Sequence, residues 1–336
     1  MLGEHDVQSV LRKVMITRSG AVIIDNMLSC DAHADGIPLR VVTHAHSDHL
    51  IGITHSVRRC RYIIATPLTL DLINVLKGIR IYRKVGINYG VPIKINDSLI
   101  MLKRAKHIPG AAQVYYEDPN GITIGYTGDF KIPGTEPLEV DILMTEATYG
   151  HPMYVRPPPT VIESTLYDLI KRNIRNGPIT ILGYHGKLQE VMELIRKEFP
   201  EIPFIATKRV YEVTKVAIKH GLRISDIWSV ESPEGKEIKA YGYYILFDHM
   251  LSRKRRGNSM NIYLSGWLFG RPARKINPRE YVVAFSDHAD FKQLINYIRE
   301  SRPRIVIIDG TRSSCASIFA HEVTKRLGIR SIVLPR

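Results

Sequence analysis

The stretch VVTHAHSDHL, residues 41–50, constrains this chain more than any other. Three histidines and an aspartate fall within six residues: His44, His46, Asp48 and His49. A β-branched run leads into them, which puts the cluster at the mouth of a strand. Residues two apart on an extended chain point to the same side, so His44 and His46 can face one metal ion together. Asp48 and His49 follow in a tight turn or helix start, where they can face a second ion. Zinc accepts imidazole and carboxylate ligands. Two ions about 3.5–4 Å apart can activate a bridging water and stabilise both attacking and leaving oxygens.

Two ions need more ligands than this cluster supplies. His107, in KHIPGAAQ, stands at a strand exit before a Pro-Gly turn. Asp129, in GYTGDF, closes a strand after a glycine, and a carboxylate there could bridge both ions. Around these residues the first 150 positions read as short strands, such as AVIID, RYIIAT and SLIMLKRA. AQVYYED-PNG-ITIGYTG reads as a hairpin. Residues 66–77 have helical periodicity, with Thr66 as N-cap and Pro67 at the first helical position. Pro157, Pro158 and Pro159 break the texture and mark a domain junction. From 160 to about 235 strands alternate with helices, the pattern of a small parallel α/β layer. Further strands (YGYYILFD, MNIYLSG, REYVVAFSD) precede a closing helix–strand–helix–strand segment.

A chain of 336 residues accommodates two domains, or one domain with a large insertion. Its net charge of +14 favours a polyanionic partner. Cys30, Cys60 and Cys315 are far apart and form no CxxC pair, which argues against a disulfide framework and for a cytoplasmic location. No apolar run reaches the roughly 18–20 residues that span a bilayer. The first residues lack the long apolar stretch of a signal peptide. The densest basic run is SRKRRGNS, 252–259, a solvated loop or a nucleic-acid contact.

In this order HxHxDH, His107 and Asp129 resemble the metallo-β-lactamase superfamily. The resemblance implies an α/β fold, an αββα sandwich with metals at one edge. Asp25, in VIID, matches the family's upstream aspartate, which supports the HxHxDH loop by hydrogen bonds. DILMTEATYG and AFSDHADFKQLINYI resemble motifs of the β-CASP nuclease branch, and the segment after the prolines fits its inserted cap. TEATYGHPMYVRPPP, LSGWLFG and FSDHADF look most like the DNA-ligase-associated exonucleases, close to the cross-link-repair and Artemis group. The implied division is a first metallo-β-lactamase part over 1–155, a cap over 156–265 and a return segment over 266–336.

The resemblance also implies roles. His44, His46 and His107 hold one metal, Asp48 and His49 the other, with Asp129 between them. Glu146 and His288 form a carboxylate–histidine pair near the scissile phosphate, and with Asp48 they are the catalytic candidates. A histidine so held can give a hydrogen bond or proton to a leaving oxygen. The chain departs from the pattern in VIIDGTRSS, where many β-CASP enzymes carry a metal-binding histidine. Asp309 there either ligates the second ion or is a loop residue. Zinc is expected, with Mn²⁺ or Mg²⁺ favoured at an oxygen-rich second site. His185 and Lys187, at a strand-to-helix junction, are candidates for phosphate contact. So are Thr311, Arg312 and Ser313, which follow Asp309 and open a helix. His33, His55, His151, His220, His249 and His321 read as surface or locally bonded residues.

The expected function is a metal-dependent DNA nuclease of repair, with a DNA ligase as an associated protein. The first alternative is an RNA-processing β-CASP ribonuclease. The second is a non-catalytic nucleic-acid scaffold, against which the intact motifs argue. A small-molecule hydrolase would need neither the cap nor the charge.

Overall fold

Runs of β-branched residues set the strands, and the strands set the site. The structure, a computed structural model, describes residues 12–224, 226–252 and 259–335. Most of the basic run SRKRRGNS, residues 253–258, lies outside the described residues. The described chain forms two units. One runs to Tyr154 and resumes at His288; the other is Val155–Asp287.

The first unit holds two mixed sheets. Six strands, Val14–Ile16, Ala21–Ile24, Leu28–Asp31, Leu39–Val41, Tyr62–Ala65 and Lys84–Gly86, lie side by side in chain order. The first three pair antiparallel and the last four parallel. The other sheet runs in the order Arg330–Leu334, Ile305–Asp309, Ile142–Thr145, Thr123–Tyr126, Ala112–Glu117, Ser98–Arg104, Pro92–Ile95. Its first four strands are parallel and the remaining pairings antiparallel. Alternate residues of Ser98–Arg104 are buried, the period of two that packs one face of a sheet. Val22, Val41 and Ile64 of one sheet share an apolar core with Ile100, Val114, Ile124 and Ile307 of the other.

Local chemistry follows the sequence closely here. Thr66 Oγ1 accepts from Thr69 N–H at 3.2 Å and caps the helix Pro67–Lys77. The hairpin of Ala112–Glu117 with Thr123–Tyr126 turns at Asp118, whose carboxylate accepts from the N–H groups of Asn120 and Ile122. The helix Phe291–Ser301 buries Phe291, Leu294, Ile295 and Ile298, a single apolar stripe.

Strand direction gathers the candidate ligands. Parallel strands deliver their C-terminal ends to one edge of each sheet. The antiparallel hairpins bring the turn between Arg104 and Ala112 to the same edge, beside Tyr126. There Ala112 N–H donates to Thr43 O at 2.9 Å and ties the two sheets together.

The second unit is built on a third sheet, ordered Ile227–Ser229, Phe204–Ala206, Ile245–His249, Ile179–Gly183, Met260–Leu264, Glu280–Val283, Ala273–Asn277. All neighbours are parallel except the last pair. The helix Lys187–Glu198 buries Leu188, Val191, Met192 and Ile195 against this sheet's core. The proline run opens a helix: Pro159 is the first residue of Pro159–Asn173, where a missing N–H costs nothing. This unit ends at Asp287 rather than at 265. Glu280–Val283 pairs with Asn261–Leu264, so the segment that reads as a return strand belongs to the third sheet. Among the described residues no helix is long and apolar enough to cross a membrane.

Candidate metal centre

The chain leaves strand Leu39–Val41 and turns at Ser47–Leu50. His49 N–H bonds His46 O at 3.1 Å, and Leu50 N–H bonds Ser47 O at 3.2 Å. His44 and His49 are fully buried, His46 is half-buried and Asp48 is exposed. His107 follows strand Ser98–Arg104, and Asp129 follows Thr123–Tyr126. Gly128 makes the approach of Asp129 feasible. Its φ is +54°, and a Cβ there would stand 3.0 Å from the Thr43 side chain.

One potential ligand atom from each of His44, His46, His107 and Asp129 lies within 4.8 Å of the others. The same holds for Asp48, His49 and Asp129. Among the described residues buried His44 Nε2 has no hydrogen-bond partner, and His49 Nε2, also buried, lies 3.1 Å from Asp129 Oδ2. Buried polar atoms are normally satisfied. Nitrogens turned among imidazoles and carboxylates fit a divalent cation, so this cluster could hold one.

Electrostatics within the cluster separates the two buried histidines. Burial, and then the neighbouring His49 and His107, hold His44 well below the usual imidazole range, so it is neutral. Burial works the same way on His49, but Asp129 and Asp31 outweigh it and raise that imidazole to about 10. Burial pushes the Asp129 carboxyl up, yet His49 and His288 hold it well below the usual carboxylate range. Desolvation strengthens such interactions between neighbouring charges.

The supporting aspartate is Asp31, not Asp25. Asp31 is wholly buried at the end of strand Leu28–Asp31, with φ at +65°. Its Oδ1 accepts from Thr43 N–H at 2.9 Å and from Thr43 Oγ1 at 2.8 Å. Its Oδ2 is 2.7 Å from His49 Nδ1 and accepts from Tyr126 OH at 2.9 Å. Thr43 Oγ1 gives its proton to Asp31 and therefore accepts from His44 Nδ1, 3.0 Å away. One carboxylate thus orients both histidines, directly for His49 and through a hydroxyl for His44. Asp25 instead accepts from Tyr116 OH at 2.8 Å and lies 3.8 Å from Lys13 Nζ, so its carboxylate is bound outside the cluster. Sequence reasoning also passed over Arg40. This fully buried guanidinium donates to His49 O at 3.1 Å and to Ser56 Oγ at 2.7 Å, bracing the ligand turn.

Glu146 and His288 do meet. His288 Nδ1 lies 2.9 Å from Glu146 Oε2 and 3.1 Å from Oε1. Phe130 connects the pair to Asp129: its N–H donates to Glu146 Oε1 at 2.9 Å, and its carbonyl accepts from Ala289 N–H at 2.6 Å. Asp290 then caps helix Phe291–Ser301, with Gln293 completing the capping box. The His107 and His288 rings stand 4.8 Å apart, edge to face.

Asp309 is not presented as a ligand. It is buried at the end of strand Ile305–Asp309, where it accepts from Thr311 N–H at 2.8 Å and Thr311 Oγ1 at 2.6 Å and pairs with Arg312. Among the described residues none of the potential ligand groups includes it. Ser313 Oγ donates to Ala147 O and accepts from Cys315 N–H. The polar groups of Thr311, Arg312 and Ser313 therefore face protein partners first. His185 and Lys187 lie in the second unit. Lys187 Nζ pairs with Asp287 Oδ1 at 3.1 Å, and the His185 ring lies 5.1 Å from that of His249.

No protein-family model matches the chain. An uncharacterized protein from the lig 3′ region of Acidianus ambivalens is 43% identical over 140 residues, covering 41% of this chain and all of that protein. The 5′ exonuclease Apollo of Gallus gallus is 23% identical, over 93% of this chain and 69% of its own length. An RNase J-like protein of Methanocaldococcus jannaschii is 28% identical, over 94% of this chain and 93% of its own length. Among solved structures, a protein of unknown function from Enterococcus faecalis V583 shares the fold. Its TM-score is 0.62 at 16% identity, over 91% of this chain and 81% of that one. The ordered motifs, the clustered ligands and these relatives together make the chain a member of the β-CASP branch of the metallo-β-lactamase superfamily.

Proposed function

We propose that the chain is a metal-dependent DNA nuclease, a phosphodiesterase that trims strands exonucleolytically during repair. The carrying observation is the Glu146–His288 pair standing within one cluster with Asp129, the carboxylate shared by the His44/His46/His107 and the Asp48/His49 groups. We read the two-sheet unit as the αββα metallo-β-lactamase domain and Val155–Asp287 as its β-CASP cap. His44, His46, His107 and Asp129 would hold one divalent ion and Asp48, His49 and Asp129 a second, with zinc favoured and Mn²⁺ or Mg²⁺ suited to the more oxygen-rich set. Bound there, such ions supply Lewis acidity and a water of lowered pKa as nucleophile.

The chain's own residues supply the remaining chemistry. Asp31 and Thr43 fix the ring orientations of His49 and His44, so those ligands need no reorganisation. Glu146 holds His288 by Nδ1, and the imidazole so oriented would, when protonated, give a proton or hydrogen bond to the departing oxygen. Lys and Arg side chains hold the phosphate backbone without reading bases. Three supports favour DNA: Apollo is a 5′ exonuclease by name, the Acidianus relative is named for the lig 3′ region, and the late strand ends in Asp309 rather than a histidine. The first two also suggest 5′ polarity and association with a DNA ligase. The RNase J-like relative supports the alternative, an RNA nuclease. Three free, buried cysteines are in keeping with a cytoplasmic setting.

The test is cleavage of 5′- and 3′-labelled single-stranded DNA and matched RNA with Zn²⁺, Mn²⁺ or Mg²⁺. Metal-dependent shortening of DNA from the 5′ end is expected. His46→Ala should abolish it, and His288→Ala should lower kcat by about 10²–10⁴-fold. Cleavage of RNA alone would establish the alternative. Tight binding with no cleavage under any metal would leave a scaffold.

A further inference from the structure

Arg312 is an anchored cation at the rim of the ligand cluster. Its Nη1 pairs with the buried carboxylate of Asp309, and its Nη2 donates to Gly20 O at 3.1 Å. Thr311 fixes that carboxylate by two further hydrogen bonds. The backbone leaves room for the guanidinium: Gly20 has φ +84°, and a Cβ there would lie 2.8 Å from Arg312 Nη2. The third nitrogen, Nε, is 3.9 Å from Asp48 Oδ2. Only 16% of the Arg312 side chain is exposed, against 55% for Asp48. The guanidinium is therefore clamped on one side and turned toward Asp48 on the other.

That arrangement makes the His44/His46/His107/Asp129 and Asp48/His49/Asp129 sets unequal. The set formed by His44, His46, His107 and Asp129 gathers three imidazoles round one carboxylate, with His107 Nε2 2.9 Å from His46 Nδ1. The set formed by Asp48, His49 and Asp129 already has a fixed positive charge beside its exposed carboxylate. A divalent ion placed there would meet like charge at short range, and Asp309 keeps the arginine from swinging away. Guanidinium stays charged at every working pH, so the bias is permanent. We propose that Arg312, anchored by Asp309, is a resident cation that makes this a one-tight-ion centre, with the Asp48/His49/Asp129 set filled only weakly. The proposal rests on the metal-centre reading above.

Metal content decides it without reference to activity. The full chain is loaded with Zn²⁺, dialysed against a weak chelator and analysed by native mass spectrometry and elemental analysis. Wild type is expected to keep about one ion per chain and Arg312→Met about two, with second-site affinity at least about tenfold tighter in the variant. Arg312→Gln is the companion variant if the thioether fails to fold, as judged by circular dichroism. Two tightly held ions in wild type overturn the proposal. So does a single ion in a folded neutral variant. No ion retained by wild type would defeat the metal-centre reading itself, a distinct result.

Discussion

Asp31 accepts four hydrogen bonds and is wholly buried, so its loss is the most informative single change at the site. Asp31→Ala strips partners from Thr43, Tyr126 and a charged His49, at a cost of about 3–5 kcal/mol. Metal affinity should fall by roughly 10–100-fold. Asp25→Asn keeps an acceptor for Tyr116 and should cost less than about 1 kcal/mol, with metal binding unchanged. Thermal melts and chelator competition on both variants check this, and equal effects would reverse the assignment. His49 carries a second expectation. Raised to about 10, it is protonated at pH 7.5 without metal, whereas a ligand imidazole must be neutral. Filling the Asp48/His49/Asp129 set should therefore release about one proton. Calorimetry in buffers of differing ionisation enthalpy reads that proton as a slope. At this scale the grouping of His44, His46, Asp48 and His49 was legible because HxHxDH brings these side chains together by spacing alone. The supporting aspartate was not. Its reach to Thr43 depends on strand register, with Cys30 opposite Val41, and no local pattern distinguishes VIID from LSCD in that respect. The surroundings of Asp309 were hidden for a similar reason: only the fold shows that Arg312 folds back onto it.

Elements matter here for where their ends fall. Gly128 links strand Thr123–Tyr126 to Asp129 in the left-handed region, against the Thr43 side chain. Gly128→Ala should cost about 1–2 kcal/mol in backbone strain. It should also displace Thr43, weakening the bond that orients His44. The expected result is a lowered melting temperature together with weaker metal retention. A fall in stability with metal retention intact would show that the glycine serves packing alone. Helix ends and hairpins were legible because their signals are local: Thr66 before Pro67, a turn at Asp118, an apolar stripe in Phe291–Ser301. The end of the second unit was not. Glu280–Val283 ends in two β-branched valines after a tyrosine, and such a strand fits either sheet equally well. Its parallel pairing with Asn261–Leu264 is a long-range choice that composition does not encode.

The whole molecule carries a net charge of +14, and its candidate centre is rich in groups that suit phosphodiester chemistry. These two properties act on different steps. Charge spread over the surface raises encounter with a polyanion and holds its phosphates, and salt screens it. The Glu146–His288 pair is mostly buried and its partners are in direct contact, so salt reaches it weakly. Binding and turnover should therefore separate when ionic strength is varied. Neutralising about four phosphates of a single strand gives a slope near −2.8 in log affinity against log salt, about fiftyfold between 50 and 200 mM. We expect KM for single-stranded DNA to rise by that order while kcat changes less than about twofold. Steady-state kinetics on a short oligonucleotide at several salt concentrations measures both. The rise should be the same for strands of unrelated sequence, because phosphate contacts carry no base information. A flat KM would mean that the excess charge is not directed at the substrate. A kcat that fell in parallel would mean that a screened surface charge takes part in the chemical step, and the division between a charged surface and a sheltered proton donor would fail.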